Sequence, residues 1–280
     1  MIGALPLPYP FDAAFMQRAL VACLTVGVFA PMIGTFLVQR RLSLVGDGIG
    51  HVAFAGVGAG LLLNVWPVWT ALAFAVTGAV GVEVLRTKRK ASGDLALALF
   101  FYAGIALGAV FAYHRNVDFE TLSYLFGDPF KVTDAGVGAI VGLGVAITAG
   151  IWALRRVLFA IVTDEDWSRV AGLPVNLLNA SLAALTACAI VSAMRVVGIL
   201  LIAALMALPV ATAQLLARSF RATMRLAVGI GAASAFMGLG LARSLDVSPG
   251  GAIVLVAAGL FAVVAVAKRT VPRGLPQEAP

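Results

Sequence analysis

The chain has 280 residues, of which 61% are hydrophobic and only 12% charged, and its mean hydropathy is +1.02. Soluble domains carry about a quarter charged residues, so a water-soluble globule is excluded: there is too much apolar surface to hide. The net charge of +7 does not point to nucleic acid, because the cations punctuate hydrophobic runs and form no basic polar domain.

About 20 apolar residues in helical form span a bilayer, since a helix satisfies its own backbone hydrogen bonds where water is absent. In chain order, the apolar runs and their breaks predict helices over 13–38, 44–63, 67–85, 95–113, 134–154, 174–194, 196–217, 226–243 and 249–267. The fold expected is all-α, a polytopic transmembrane bundle of eight or nine spans in a single domain over 1–280. The first run follows three prolines and one arginine, with no small-residue cleavage site and polar mature domain after it, so it reads as a retained span and not a signal peptide. Cys23 and Cys188 lie in apolar runs, where a thiol packs as a small hydrophobe; they define neither a disulfide framework nor a metal spacing.

The cations orient this topology. With the N-terminus outside and the C-terminus cytoplasmic, fifteen fall on the inner side: Arg40, Arg41, Arg86, Lys88, Arg89, Lys90, Arg155, Arg156, Arg169, Arg218, Arg221, Arg225, Lys268, Arg269 and Arg273. Arg18, Arg115, Lys131, Arg195 and Arg243 fall outside, a split that follows the resistance of Lys and Arg to translocation. The run over 196–217 is the least regular, because Pro209 interrupts it and only Arg195 separates it from the helix before; it is expected to span or to be broken and re-entrant.

Two segments are too polar to cross: 114–133 outside, with Asp118, Glu120 and Asp128, and 159–175 inside, with Asp164, Glu165, Asp166 and Arg169. Each is a candidate docking surface, and 268–280 forms an inner tail. Thirty glycines fall largely within the spans, as in 46–50 and 56–60, where small residues let helices approach closely.

Asp47 and His51 are four apart on the second helix and so share a face, with roughly 10 Å of helix expected between them and the Arg40-Arg41 boundary. Ionisable side chains within a membrane cost about 2.5–3.5 kcal/mol on insertion scales and normally mark a pathway or a helix contact. Imidazole suits zinc and related ions, carboxylate adds charge neutralisation, and a homodimer would present two of each at a shared axis. A hydrogen bond or salt bridge between the pair that merely locks a helix interface is the alternative. Glu83 is the other carboxylate within a span, and Arg86 three residues later favours a structural ion pair there. Outside, His114 and Asp118 repeat the four-residue spacing with Glu120 nearby; they are candidate entrance residues, or an ordinary solvated loop. Inside, 163–174 reads as a short amphipathic helix that starts on Asp164 and Glu165 and ends at a glycine and a proline, a shape that seats in a partner's groove. The sequence holds no G-x-x-x-x-G-K-[ST] phosphate loop, so any ATP used must be hydrolysed by another subunit.

Four stretches, together spread over most of the chain, resemble the permease subunits of metal-importing ABC transporters. RRLSLVGDGIGHVAFAGV over 40–57 is similar to that family's R-x-S-L-x-G-D-A-x-S-H-A-x-L-P-G-V, with glycine at position 50 for serine and alanine at 55 for proline. DEDWSRVAGLP over 164–174 resembles its D-x-E-x-A-x-x-x-G coupling region, with Gly172 at the glycine. RVVGILLIAALMALPVATA over 195–213 is similar to R-x-V-G-x-L-L-V-x-A-L-L-x-x-P-A-A-T-A, and DVSPGGA over 246–252 to D-x-P-x-G-A.

The resemblance implies a type II-like ABC importer permease in a bacterial cytoplasmic membrane. It implies a dimer of permeases working with two cytoplasmic ATPases, which bind the ATP, and an extracytoplasmic metal-binding protein. Asp47 and His51 would be its metal site, and Asp164, Glu165, Arg169 and Gly172 its coupling to the ATPase. No resident cofactor is implied: the metal is cargo, with zinc favoured over manganese because of the histidine. An ion-coupled secondary transporter is the alternative, since it too places Asp and His in the membrane. An intramembrane metalloprotease is disfavoured by the lack of an H-E-x-x-H ligand set.

Overall fold

The computed structural model describes residues 8–87, 93–114 and 124–270. Its elements are α1 (Ala14–Gln39), α2 (Val45–Leu62), α3 (Pro67–Thr87), α4 (Gly93–His114), a 3-10 turn (Pro129–Lys131), α5 (Asp134–Thr163), α6 (Glu165–Val170), α7 (Val175–Ala193), α8 (Ile199–Leu216), α9 (Phe220–Leu245) and α10 (Pro249–Thr270). The protein is all-α and polytopic: seven of these helices are long and apolar enough to cross a membrane, and α4 and α8 carry shorter apolar cores.

The long helices alternate in direction between two ends of the bundle. At one end Arg18 of α1 pairs with Asp134 at the start of α5 at 3.4 Å, and Arg243 near the end of α9 lies over the Phe15 ring. At the other end Arg40, just past α1, meets Glu165 of α6. The cations that the sequence assigns to opposite sides are thus at opposite ends. Buried positions concentrate in α1 and α2, whereas α5 and α10 are the least covered and expose Val145, Trp152, Leu255, Val263 and Val266. A soluble surface would not tolerate such side chains in contiguous array, and lipid suits them.

Two expected boundaries shift, each for a visible reason. α5 does not stop near 154 but continues to Thr163, because Arg155 folds back over the Trp152 ring and Phe159 packs against Phe220. The first residues of the 159–175 polar segment therefore still belong to a long helix. α9 begins at Phe220, ahead of the expected 226, on a Ser219 cap that accepts from the Ala222 backbone N–H.

α8 is one continuous helix despite Pro209. It starts beside Phe126 and Gly250 and ends where the Lys268 ammonium donates to the Leu215 carbonyl, so it runs from one end of the bundle to the other instead of turning back. Eighteen residues at ~1.5 Å each account for that reach.

The α8 entry is built on two glycines. Gly198 (φ 92°) and Gly127 (φ 72°) both adopt the left-handed region, and their backbones touch: a Cβ on Gly198 would lie 2.5 Å from the Leu125 carbonyl oxygen, and one on Gly127 would lie 2.6 Å from that of Val196. The Asp128 N–H donates to the Arg195 carbonyl beside them. The C-terminal part of the 114–133 segment is therefore packed into the bundle, with Tyr124 and Pro129 buried. Any side chain at Gly198, with φ 92° and ψ 152°, pays about 1–3 kcal/mol for an essentially glycine-only backbone region and a backbone clash besides. Gly198→Ala is expected to lower the thermal midpoint in detergent by several degrees, while Gly142→Ala, whose Cβ meets nothing within 4 Å, leaves it unchanged or slightly raised.

Candidate functional site

α2 carries the candidate metal residues, and its sequence lets neighbours crowd it. Glycine at 46 and 50 faces α8, where a Cβ would press on the Met206 sulfur and Ile199. Gly56 receives the backbone of Ala71 from α3, and Gly58 receives Phe111 from α4. From the other side, a Cβ on Gly104 of α4 would lie 2.8 Å from the His51 carbonyl carbon, so the α4 backbone rides directly on α2. Between Val45 and Gly60 the residues not buried are Asp47, His51 and Phe54. Spacings of four and three put these on one stripe of the helix. The stripe is the one face of α2 that its neighbours leave open, and two of its three side chains are metal-binding types.

Asp47 stands in the first turn of α2. The 10 Å of intervening helix expected from Arg40 is absent, because Arg41 is left-handed (φ 58°) and residues 41–44 turn before α2 begins. The His51 Nε2 and Asp47 Oδ1 atoms are 4.0 Å apart, with side-chain exposures of 14% and 36%. That separation is too long for a hydrogen bond and stands at the outer range of an ion pair, formed when the imidazole is protonated. Two bonds of about 2.1 Å to one transition ion would span such a distance. His51 is also held edge-on against Phe101 of α4, ring centroids 4.8 Å apart, a restraint no sequence signal announced. Among the described residues no group of three or more His, Cys, Asp or Glu side chains converges; one chain offers two ligands here.

The second constellation lies where α5 hands over to α7. Asp164 caps α6, its carboxylate accepting from the Trp167 N–H at 2.8 Å, and Gly172 (φ 80°) with Pro174 ends the segment, the expected start and stop. A Cβ on Gly172 would meet nothing within 4 Å, so the glycine is needed for its backbone angle and not for space. The Glu165 carboxylate is the hub. It accepts from Arg40 at 2.9 Å, Arg86 at 3.1 Å, Arg169 at 3.0 Å and the Asn179 amide at 3.4 Å. Arg86 also pairs with Glu83 at 2.9 Å, the structural ion pair expected from their spacing, but its second bond crosses 79 positions of sequence and had no local signal. The outward face of α6 shows Trp167 and Val170, 67% and 80% exposed, two apolar side chains with nothing covering them.

Of the candidate entrance residues, His114 joins neither constellation. His114 ends α4, exposed, with its ring on the Val110 carbonyl, about ten residues beyond the point where α4 crosses His51. Asp118 and Glu120 lie outside the described residues.

The fold is an all-helical bundle with a polar stripe on an enclosed helix and a short capped connector helix at one end. The chain belongs to the ABC 3 transport family, whose model matches residues 12–268. It is 29% identical over 249 residues to the manganese import system permease protein ScaB of Streptococcus parasanguinis, covering 89% of each chain. It is 30% identical over 244 residues to an uncharacterized membrane protein of Synechocystis, covering 87% of each. A solved structure, PsaBC from Streptococcus pneumoniae in complex with Fab, superposes with a TM-score of 0.82 at 30% identity over 90% of this chain and 91% of that one. Family membership sets aside the ion-coupled carrier and the intramembrane protease; the chain is a transport subunit and not itself an enzyme.

Burial raises the Glu165 carboxyl pKa, but the Arg86 and Arg40 guanidiniums bonded to it outweigh that and hold it below the usual glutamate value. A depressed folded pKa means stability that is present above the unfolded value of about 4.3 and is lost as pH falls through the folded one. Thermal unfolding in detergent should therefore show Glu165→Gln less stable than the parent at pH 7, with the gap closing as the pH is taken below about 4.

Proposed function

We propose that the chain is the membrane-spanning permease of an importer for a divalent transition metal, with manganese the first candidate cargo and zinc the second. The observation that carries the reading is the open stripe on α2, where Asp47 and His51 stand together on a helix otherwise enclosed. A carboxylate and one imidazole per chain suit either ion. The histidine alone favours zinc; manganese moves ahead because the similar ScaB of Streptococcus parasanguinis is a manganese import system permease protein.

Two copies of the chain would place two Asp47 and two His51 side chains along a shared path, enough for four ligands. Such a site must stay weak, because a closed tetrahedral cage would trap the ion. The orientation follows the cation split, N-terminus outside and C-terminus cytoplasmic, in a bacterial cytoplasmic membrane. This puts α6 on the cytoplasmic side, where exposed Trp167 and Val170 are the natural knobs for a groove on the ATPase. ATP binding and hydrolysis fall to that separate subunit, and delivery of metal to an extracytoplasmic binding protein that docks at the end bearing His114. Alternating access then consists of ATPase closure moving α6 and re-aiming the open stripe of α2 from one side to the other.

Metal uptake in cells provides the test, with membrane levels of each variant matched. Asp47→Ala and His51→Ala should each cut uptake at least tenfold, and normal uptake in both would sink the site. In a deletion strain, growth restored by added manganese but not zinc would support manganese as cargo; the reverse would hand the assignment to zinc.

A further inference from the structure

The structure assigns Glu165 as the positioning residue that fastens the coupling helix α6 to the ends of the helices that precede and follow the metal-site helix α2 in the chain, so that movement of α6 reaches α2 through its carboxylate. This rests on the reading of the chain as an ABC importer permease and names the contact by which that permease would transmit force.

The geometry is specific. Arg40 is the residue after α1, and α2 begins five positions later; Arg86 belongs to the last turn of α3. α1 and α3 are thus the helices before and after α2, and both present a guanidinium to one carboxylate on α6, across 125 and 79 positions of sequence. Arg40 is almost fully enclosed, its side chain 7% exposed, while Glu165 is 27% exposed, so the contact is shielded enough to be strong and is not an ordinary surface pair. α3 in turn lies on α2 through the Gly56 and Gly78 contacts, which leaves little slack between the clamp and the Asp47–His51 stripe. Other contacts of α6 are sparse: it is six residues long, with Ser168 its buried residue. The coupling-region pattern that this segment resembles, D-x-E-x-A-x-x-x-G, leaves the second position open, and this chain fills it with Glu165.

If Glu165 transmits motion, removing its charge should separate ATP hydrolysis from transport and not simply weaken the protein. The permease assembled with its ATPase and binding protein in proteoliposomes is compared as parent, Glu165→Gln and Glu165→Asp, at equal amounts of intact complex and below the melting temperature of each. Expected for Glu165→Gln is ATPase activity within about twofold of the parent with metal transported per ATP reduced at least tenfold; Glu165→Asp, which keeps the charge, should recover part of the ratio. An unchanged ratio, or ATPase and transport falling together in proportion, would overturn the assignment.

A metal-independent measurement separates this from the functional reading. Spin labels at Ala171→Cys, just past α6, and Leu44→Cys, both exposed sites, in a chain whose Cys23 and Cys188 are alanine, report the distance from α6 to the start of α2. In the parent that distance should stay narrow with and without trapped nucleotide, and in Glu165→Gln it should broaden. Equal distributions in both would refute the clamp even if the complex transports metal. A narrow parent distance in a complex that transports no metal would retain the clamp and reject the cargo.

Discussion

Close backbone approach around α2 is the constraint on which the rest of the structure depends. Glycines on several faces of this helix admit α3, α4 and α8 so near that most added methyl groups would collide. In lipid there is no hydrophobic drive to bring helices together, and dispersion across such tight contacts replaces it. The consequence for chemistry is indirect but strong: when three neighbours enclose a helix, the face left over is defined by exclusion. That face is occupied by Asp47, His51 and Phe54. Phe101 from α4 then presses on the imidazole and limits its rotation, a degree of preorganisation that a loop-borne histidine would lack.

The opposite requirement operates at the Glu165 hub. Small apolar contacts cannot transmit a pull across the end of a bundle without sliding, whereas two guanidiniums on one carboxylate hold direction as well as distance. Burying such charges is costly when any one of them lacks a partner. Here Glu165 has four bonded neighbours and Arg86 has two carboxylates, so the cluster is close to satisfied. The arrangement places a stiff, polar joint under the connector helix α6 and a tight, apolar one around α2.

The glycine crossing of 127 with 198 at the other end serves neither chemistry nor force transfer directly. It seats the 124–131 segment against the start of α8 and so sets where α8 begins. Position 209 then falls well inside α8, where the proline costs one backbone bond but does not break the helix, because helices on either side hold it in place.

Composition, apolar run length and the distribution of Lys and Arg determined that this is a helical membrane protein, with nearly the right helices, and the four-residue spacing alone put Asp47 and His51 on one face. The start and stop of α6 were likewise legible, because a cap at Asp164 and a left-handed glycine at 172 are local devices written in neighbouring residues. The length of α5 was not, since its extension past Arg155 depends on Trp152 and on Phe220 from another helix. The continuity of α8, the pressure of Phe101 on His51 and the convergence of Arg40, Arg86 and Glu165 were decided only by tertiary structure. Each joins residues far apart in sequence, and periodicity, which reports what lies on one helix, carries no information about which other helix will face it.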